Sequence, residues 1–243
     1  MGERAVHFQP GEWFHCYNRG VDRRRIFMCQ ADYRRFLALL YACNSVEPIH
    51  VSNYEQGFRS KTLSSVLKTR REMTLVDIGA YNLMPNHHHF LLREARDGGI
   101  TSFMRKLGTA YTMYFNIKYE RAGSLYQGAF KAKHVRSDHY FGRVLNYING
   151  NHAALYEPKW KEGIIKNERG LKKMLAAYPY SSATDYYGVA RPESIILNRE
   201  AVMDTMEKVP SLEKIIEEAQ TFARQYEKDL VPASKWQGKK MAR

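Results

Sequence analysis

Residues 74–94, TLVDIGAYNLMPNHHHFLLRE, constrain the fold more than any other stretch of the chain. TLVDIGAYNL (74–83) reads as a strand and HHHFLLRE (87–94) as its neighbour, with only Met-Pro-Asn between them. Successive side chains of a strand point to opposite faces, so His87 and His89 share a face and His88 points away from them. Two imidazoles at that spacing can bind one cation through their ring nitrogens. A pair supplies only two ligands, so further groups would have to complete such a site. The bland alternative is a set of hydrogen-bonded histidines with no ion. Three histidines in mid-chain are too few and too internal to be a tag.

The flanking segments give the strands something to pack on. WFHCYNRG (13–20) reads as a strand running into a turn. ADYRRFLALLYACN (31–44) carries Phe36, Leu39, Leu40 and Cys43 at helical spacing. Residues 45–73 are polar and mixed, an insertion carrying a short basic helix near SKTLSSVLKTRRE. ITSFMRKLGTAYTMYFNIKYE (100–120) is a long amphipathic helix with Phe103, Leu107, Tyr111 and Tyr114 along one stripe. GSLYQGAFKAKHV (123–135) is strand-like, and DHYFGRVLNYINGNHAAL (138–155) is helical with Asp138 as its N-cap. Beyond residue 156, YPYSSATDYYG (178–188) is aromatic and turn-rich. Residues 210–230 form a charged helix of structural or interaction type, and SKWQGKKMAR is a basic tail. The order predicts an α+β fold: a small antiparallel sheet with helices on one face, close to a ferredoxin-like arrangement.

Charge narrows the partners. The 243 residues carry 38 Lys and Arg against 25 Asp and Glu, a net of +13. Such an excess favours polyanions, because each phosphate neutralised releases counterions. No apolar run approaches the roughly 20 residues of a membrane span, so no membrane partner is expected. MGERAVHFQPGEWF has no signal-peptide core, and Ala5 and Val6 stand where a myristoylation motif wants a hydroxyl. Cys16, Cys29 and Cys43 form neither a CxxC pair nor a disulfide framework, which points to a reducing cytoplasm. No Walker-type phosphate loop is present.

The strings YNRG (17–20), RRIF (24–27), DYRRFL (32–37), MPNHHHFLL (84–92), GSLYQGAFKAKHV (123–135) and NYINGN (146–151) occur in this order. Together, over roughly residues 10 to 190, they resemble the HUH single-tyrosine transposases, most closely the REP-associated tyrosine transposases. MPNH followed by x-H-hydrophobic is the most specific piece. The resemblance implies an HUH nuclease core over 10–156 with a helical C-terminal extension over 157–243. It implies an enzyme that cuts and rejoins single-stranded, hairpin-flanked DNA through a 5′-phosphotyrosine, with a divalent metal, Mg or Mn. His87 and His89 match the family's metal histidines, Tyr147 in NYINGN its nucleophile, and Asn151 its helix ligand. Tyr147 and Asn151 are four apart, so they share a helical face whether or not the resemblance holds. Monomer and tyrosine-swapping homodimer both stay open.

Several features set ordinary readings beside these. Tyr147 is one of 17 tyrosines, and a tyrosine on an amphipathic helix is ordinarily core; Tyr140 is the alternative nucleophile. His88 departs from the family's apolar middle residue, and Asn-His-Ala-Ala at 151–154 replaces its Asn-Pro-Val. Arg19, Arg23, Arg24 and Arg25 form either a solvated basic turn or a DNA-contacting cluster. Lys131 and Lys133, sharing a strand face, could track a phosphate backbone, while Tyr126 and Phe130 suit core packing. Two other functions remain: another HUH nuclease of relaxase or replication-initiator type, and a domesticated hairpin DNA- or RNA-binding protein with no cleavage.

Overall fold

A computed structural model describes residues 6–53, 59–60 and 62–226. Strand β1 (Trp13–Arg19) leads through a short turn to α1 (Gln30–Cys43). The inserted region holds β2 (Ser52–Asn53), β3 (Arg59–Ser60) and α2 (Leu63–Leu67); a short helix is expected there, but its five residues, LSSVL, carry no basic side chain. Then come β4 (Val76–Met84), β5 (His87–Glu94), α3 (Gly99–Lys118), β6 (Lys131–His134) and α4 (Asp138–Gly150). The C-terminal part adds α5 (Glu168–Ala177), α6 (Ala183–Tyr187), α7 (Arg199–Met203) and α8 (Leu212–Tyr226). The basic tail lies outside the described residues.

The main sheet has the order β4-β5-β1-β6, and each neighbouring pair is antiparallel. The fold is therefore α+β, as expected. The placement of the helices is fuller than expected. Phe14, Cys16, Ile78, Tyr81, Leu83, Phe90 and Leu92 form one face and pack with Phe36 and Leu40 of α1 and Phe103, Leu107 and Tyr111 of α3. Those two helices do lie on one face. The other face also carries apolar side chains, Trp13, Ala80 and Leu91, and these need cover of their own. Phe141, Val144, Leu145 and Ile148 of α4 supply it, with Ala201 and Val202 of α7 and Phe222 of α8.

Three details fix α4 in place. Its cap is Ser137, not Asp138: the Ser137 hydroxyl accepts the Tyr140 backbone N–H at 3.3 Å, and Asp138 begins the helix. At the other end the helix tightens into a 3-10 turn over Asn151–Leu155. There Asn82 of β4 donates from Nδ2 to the Ile148 carbonyl at 2.8 Å and lies 2.8 Å from His152 Nδ1. Gly150 lets α8 approach closely, because a Cβ there would sit 3.1 Å from Ala219 Cβ and Ile215 Cγ2. The C-terminal segment ties back to the sheet through Trp13 Nε1 donating to Thr205 Oγ1 (3.0 Å) and Tyr186 OH donating to the Gly79 carbonyl (2.7 Å). Among the described residues, no helix is long and apolar enough to cross a membrane.

Candidate active site

Strand register decides which side chains meet on the α4 face. One row across the sheet pairs Asn82, His89, Tyr17 and Lys131. The row beside it pairs Met84, His87 and Arg19, and the row on the other side pairs Ala80, Leu91, His15 and Lys133. Paired residues point the same way. His87 and His89 thus share the α4 face, with ring centroids 5.1 Å apart and planes nearly perpendicular. His88 is on the opposite face, buried against Phe36, Phe90 and Tyr126 at centroid distances of 5.3, 4.6 and 5.6 Å. It packs rather than bonds: neither of its ring nitrogens has a hydrogen-bond partner.

Both site histidines are engaged through Nδ1. Asn86 Oδ1 lies 2.6 Å from His87 Nδ1 and accepts its proton, which leaves the lone pair on Nε2. His89 Nδ1 lies 2.9 Å from Nε2 of His15, a buried histidine of β1. Burial pushes His87 and His15 down to about 3, helped by the Lys161 and Arg19 charges at His87 and by Lys133 at His15. Burial, then the neighbouring His87 and His15, holds His89 well below its ordinary value. All three are neutral near pH 7, the protonation state that binds metals.

Tyr147 comes to the same place from α4. Its ring meets His89 edge to face at 5.4 Å and His15 at 5.8 Å. Phe222 of α8 packs on it at 4.8 Å, and Lys161 Nζ lies 5.7 Å from its centroid. Tyr147 is 1% exposed. Tyr140, the alternative nucleophile, packs on Phe222 at 5.7 Å and is half-buried. The ring contacts to the histidines are those of Tyr147.

Asn151 follows one turn later as the C-cap of α4, also buried. Its Nδ2 position has no hydrogen-bond partner. Turning the amide over places Oδ1 there, an unpaired oxygen of the kind a hard cation takes. Two imidazoles and one unpaired amide fit a divalent cation, although this donor set is uncharged. Among the described residues, no group of three or more His, Cys, Asp or Glu side chains is placed to hold an ion. A cation on His87, His89 and Asn151 would therefore draw much of its binding from anionic oxygens of a substrate.

The basic residues separate into two groups. Arg19 shares the site face with His87, and its Nε donates to Gln127 Oε1. Lys131 and Lys133 also point to that face, at the β6 edge. Arg23, Arg24 and Arg25 lie exposed in the turn after β1, where Asp22 and Arg23 take left-handed backbone angles. Arg24 is 3.8 Å from Asp22. Tyr126 and Phe130 pack into the α1/α3 core as expected.

His15, Tyr17, Asn82 and Lys161 join the site without having been anticipated. The first two were readable: WFHCYNR alternates His15, Tyr17 and Arg19 on one face. Asn82 becomes legible only once β4 and β5 are paired in register. Lys161 arrives on a 3-10 turn at Trp160–Glu162 and has no periodic signal.

Comparison with known proteins bears on this arrangement. Residues 50–151 match the family model described as "Transposase IS200 like". A solved structure described as the REP-associated tyrosine transposase bound to a REP hairpin is similar at 16% identity and a TM-score of 0.48, covering 79% of this chain and 90% of that one. No curated protein matches the sequence. The matched segment contains His87, His89, Tyr147 and Asn151.

Proposed function

We propose that this chain is a REP-associated-type tyrosine transposase: an endonuclease and strand-transfer enzyme acting on single-stranded DNA flanked by hairpins, in the cytoplasm. Residues 10–156 are its nuclease core and 157–243 its C-terminal extension, of which the described part, 157–226, covers one side of the core. The observation that carries the reading is the meeting of Tyr147 with His89 on the face that also presents His87.

The Tyr147 hydroxyl attacks a phosphodiester phosphorus, and the 3′-oxygen leaves. The phenol loses its proton in the step, since its ordinary pKa is near 10. The product is a 5′-phosphotyrosine on the enzyme and a free 3′-hydroxyl. The phosphotyrosine conserves the energy of the cut bond, so rejoining to another 3′-end needs no nucleotide. His87, His89 and Asn151 would hold the divalent cation, Mg or Mn, which polarises the scissile phosphate. Arg19, Lys131 and Lys133, on the same face, hold the backbone of the single strand. Arg23, Arg24 and Arg25 bind the hairpin beside it. One chain, or a homodimer exchanging tyrosines, could run this chemistry.

The burial of Tyr147 under Phe222 favours a second reading, a hairpin binder that does not cut. One experiment separates the two. End-labelled single-stranded hairpin DNA from the gene's own flanks is incubated with protein and Mg or Mn, then denatured. An adduct on the 5′ phosphate of the downstream fragment, retaining a 3′-end label and lost with EDTA, supports the transposase. Tight binding that ignores EDTA and leaves no adduct supports the binder.

A further inference from the structure

We propose that His15 is a positioning residue for the metal site: it accepts the Nδ1 proton of His89 and so keeps the His89 Nε2 lone pair turned out for a cation. The inference rests on reading His87 and His89 as ligands.

His15 and His89 are diagonal neighbours across the β1–β5 pairing, where His15 pairs Leu91 and Tyr17 pairs His89. Their rings bridge that diagonal with a bond of 2.9 Å between His15 Nε2 and His89 Nδ1. The proton in it can belong to either ring. With the proton on His15 Nε2, neutral His89 must carry its own hydrogen on Nε2 and has no lone pair there. With the proton on His89 Nδ1, Nε2 is a ligand. Only the second arrangement makes His89 the equal of His87, whose Nδ1 is already held by Asn86 at 2.6 Å. Ligand histidines ordinarily have the second nitrogen fixed by an acceptor in this way.

The packing supports a role beyond filling space. His15 is buried, and its Nδ1 has no hydrogen-bond partner. A leucine or phenylalanine would fill the position without an unpaired nitrogen, so the fold tolerates a defect there. The bond to His89 is what the imidazole adds. His15 lies on the neighbouring strand of the same face and acts through His89, so it is a positioning and not a catalytic residue.

The test uses the full chain with two substitutions. His15→Phe keeps the ring and removes the acceptor, while His15→Gln returns an acceptor at the ε position. Long-range proton–nitrogen correlation spectra of the metal-free wild type should show His89 protonated at Nδ1. The same tautomer should persist in His15→Gln and give way to Nε2 protonation in His15→Phe. By titration calorimetry, His15→Phe should bind Mn²⁺ about 10- to 100-fold more weakly than wild type, and His15→Gln within about threefold of it. Wild-type His89 protonated at Nε2 overturns the proposal, and that spectrum is available even if His15→Phe does not fold. A folded His15→Phe that binds Mn²⁺ as wild type does also overturns it. Wild type that binds no Mn²⁺ but keeps His89 protonated at Nδ1 sinks the ligand reading instead, leaving the His15 contact a structural one.

Discussion

Tyr147 of α4 and His89 of β5 meet edge to face, with ring centroids 5.4 Å apart, across the interface that joins helix to sheet. The contact sets a phenol beside an imidazole already engaged at Nδ1 by His15. Removing only the phenol oxygen leaves the rings on His15, His89 and Phe222 in place. Tyr147→Phe should therefore melt within a few degrees of wild type. It should also lose the covalent DNA adduct by about a thousandfold or more, the scale seen when a nucleophile is deleted. Tyr140→Phe, assayed beside it, should keep the adduct. An adduct that survives in Tyr147→Phe and vanishes in Tyr140→Phe would reverse the assignment.

Phe222 is the second ring on Tyr147, at 4.8 Å, and it belongs to α8. At 1% exposure, Tyr147 cannot reach a phosphodiester until that cover shifts. Phe222→Ala should cost about 3 kcal/mol of stability, as large-to-small changes in a core do. The initial rate of adduct formation should rise nonetheless, measured at a temperature where both proteins stay folded. If the rate falls in step with stability, α8 is a support for the site and not its cover.

How much of this could be read from the sequence follows from the range of each interaction. The strands β1, β4 and β5 and the helices α1, α3, α4 and α8 announce themselves by local periodicity, and so does the sharing of one face by His87 and His89. The α4 cap was misassigned by one residue because Ser137 and Asp138 are both good caps, and only the Tyr140 N–H at 3.3 Å from Ser137 decides between them. GSLYQGAFKAKHV reads as one strand, yet only Lys131–His134 is strand, since β1 offers it a partner from Phe14 to Tyr17 alone. In the turn-rich 178–188 stretch, a short helix forms at Ala183–Tyr187. The partners His15 and Asn82 stayed hidden because their roles are set by pairing register between distant segments. The cover over Tyr147 stayed hidden because an amphipathic helix states that it packs, not on what.

Asn82 deserves a substitution for that reason. Its amide serves the Ile148 carbonyl and the His152 ring, both at 2.8 Å, at the end of α4 that carries Tyr147 and Asn151. Asn82→Leu is close in size but leaves His152 Nδ1 buried without that partner. A loss of about 2–3 kcal/mol in urea denaturation is expected, in line with a buried polar group left unpaired. Adduct formation should fall as well, since the helix end loses its tie to β4. A midpoint unchanged from wild type would mean that water or a neighbour replaces the amide.

Acid should unfold the metal-free protein from an unusually high pH. Burial pushes His15, His88 and His152 down to about 3, and His89 well below its ordinary value. In the unfolded chain each returns to about 6.5. Between those values the unfolded state takes up protons that the folded state refuses. The stabilisation is complete above about pH 6.5 and is lost progressively as pH falls towards 3. Each histidine forfeits about 1.4 kcal/mol per pH unit inside that window. Four of them remove about 5 kcal/mol between pH 7.5 and 5.5, comparable with the whole stability of many domains. Asp32, held low by its bonds from Lys118 and Tyr119 against the opposing effect of burial, acts only below the ordinary carboxylate range and does not blur this window. Urea midpoints at pH 7.5 and 5.5 measure the effect directly. A pair of midpoints that agree would show that these imidazoles titrate in the folded protein, and that the face carrying His87 and His89 is wetter than its packing implies.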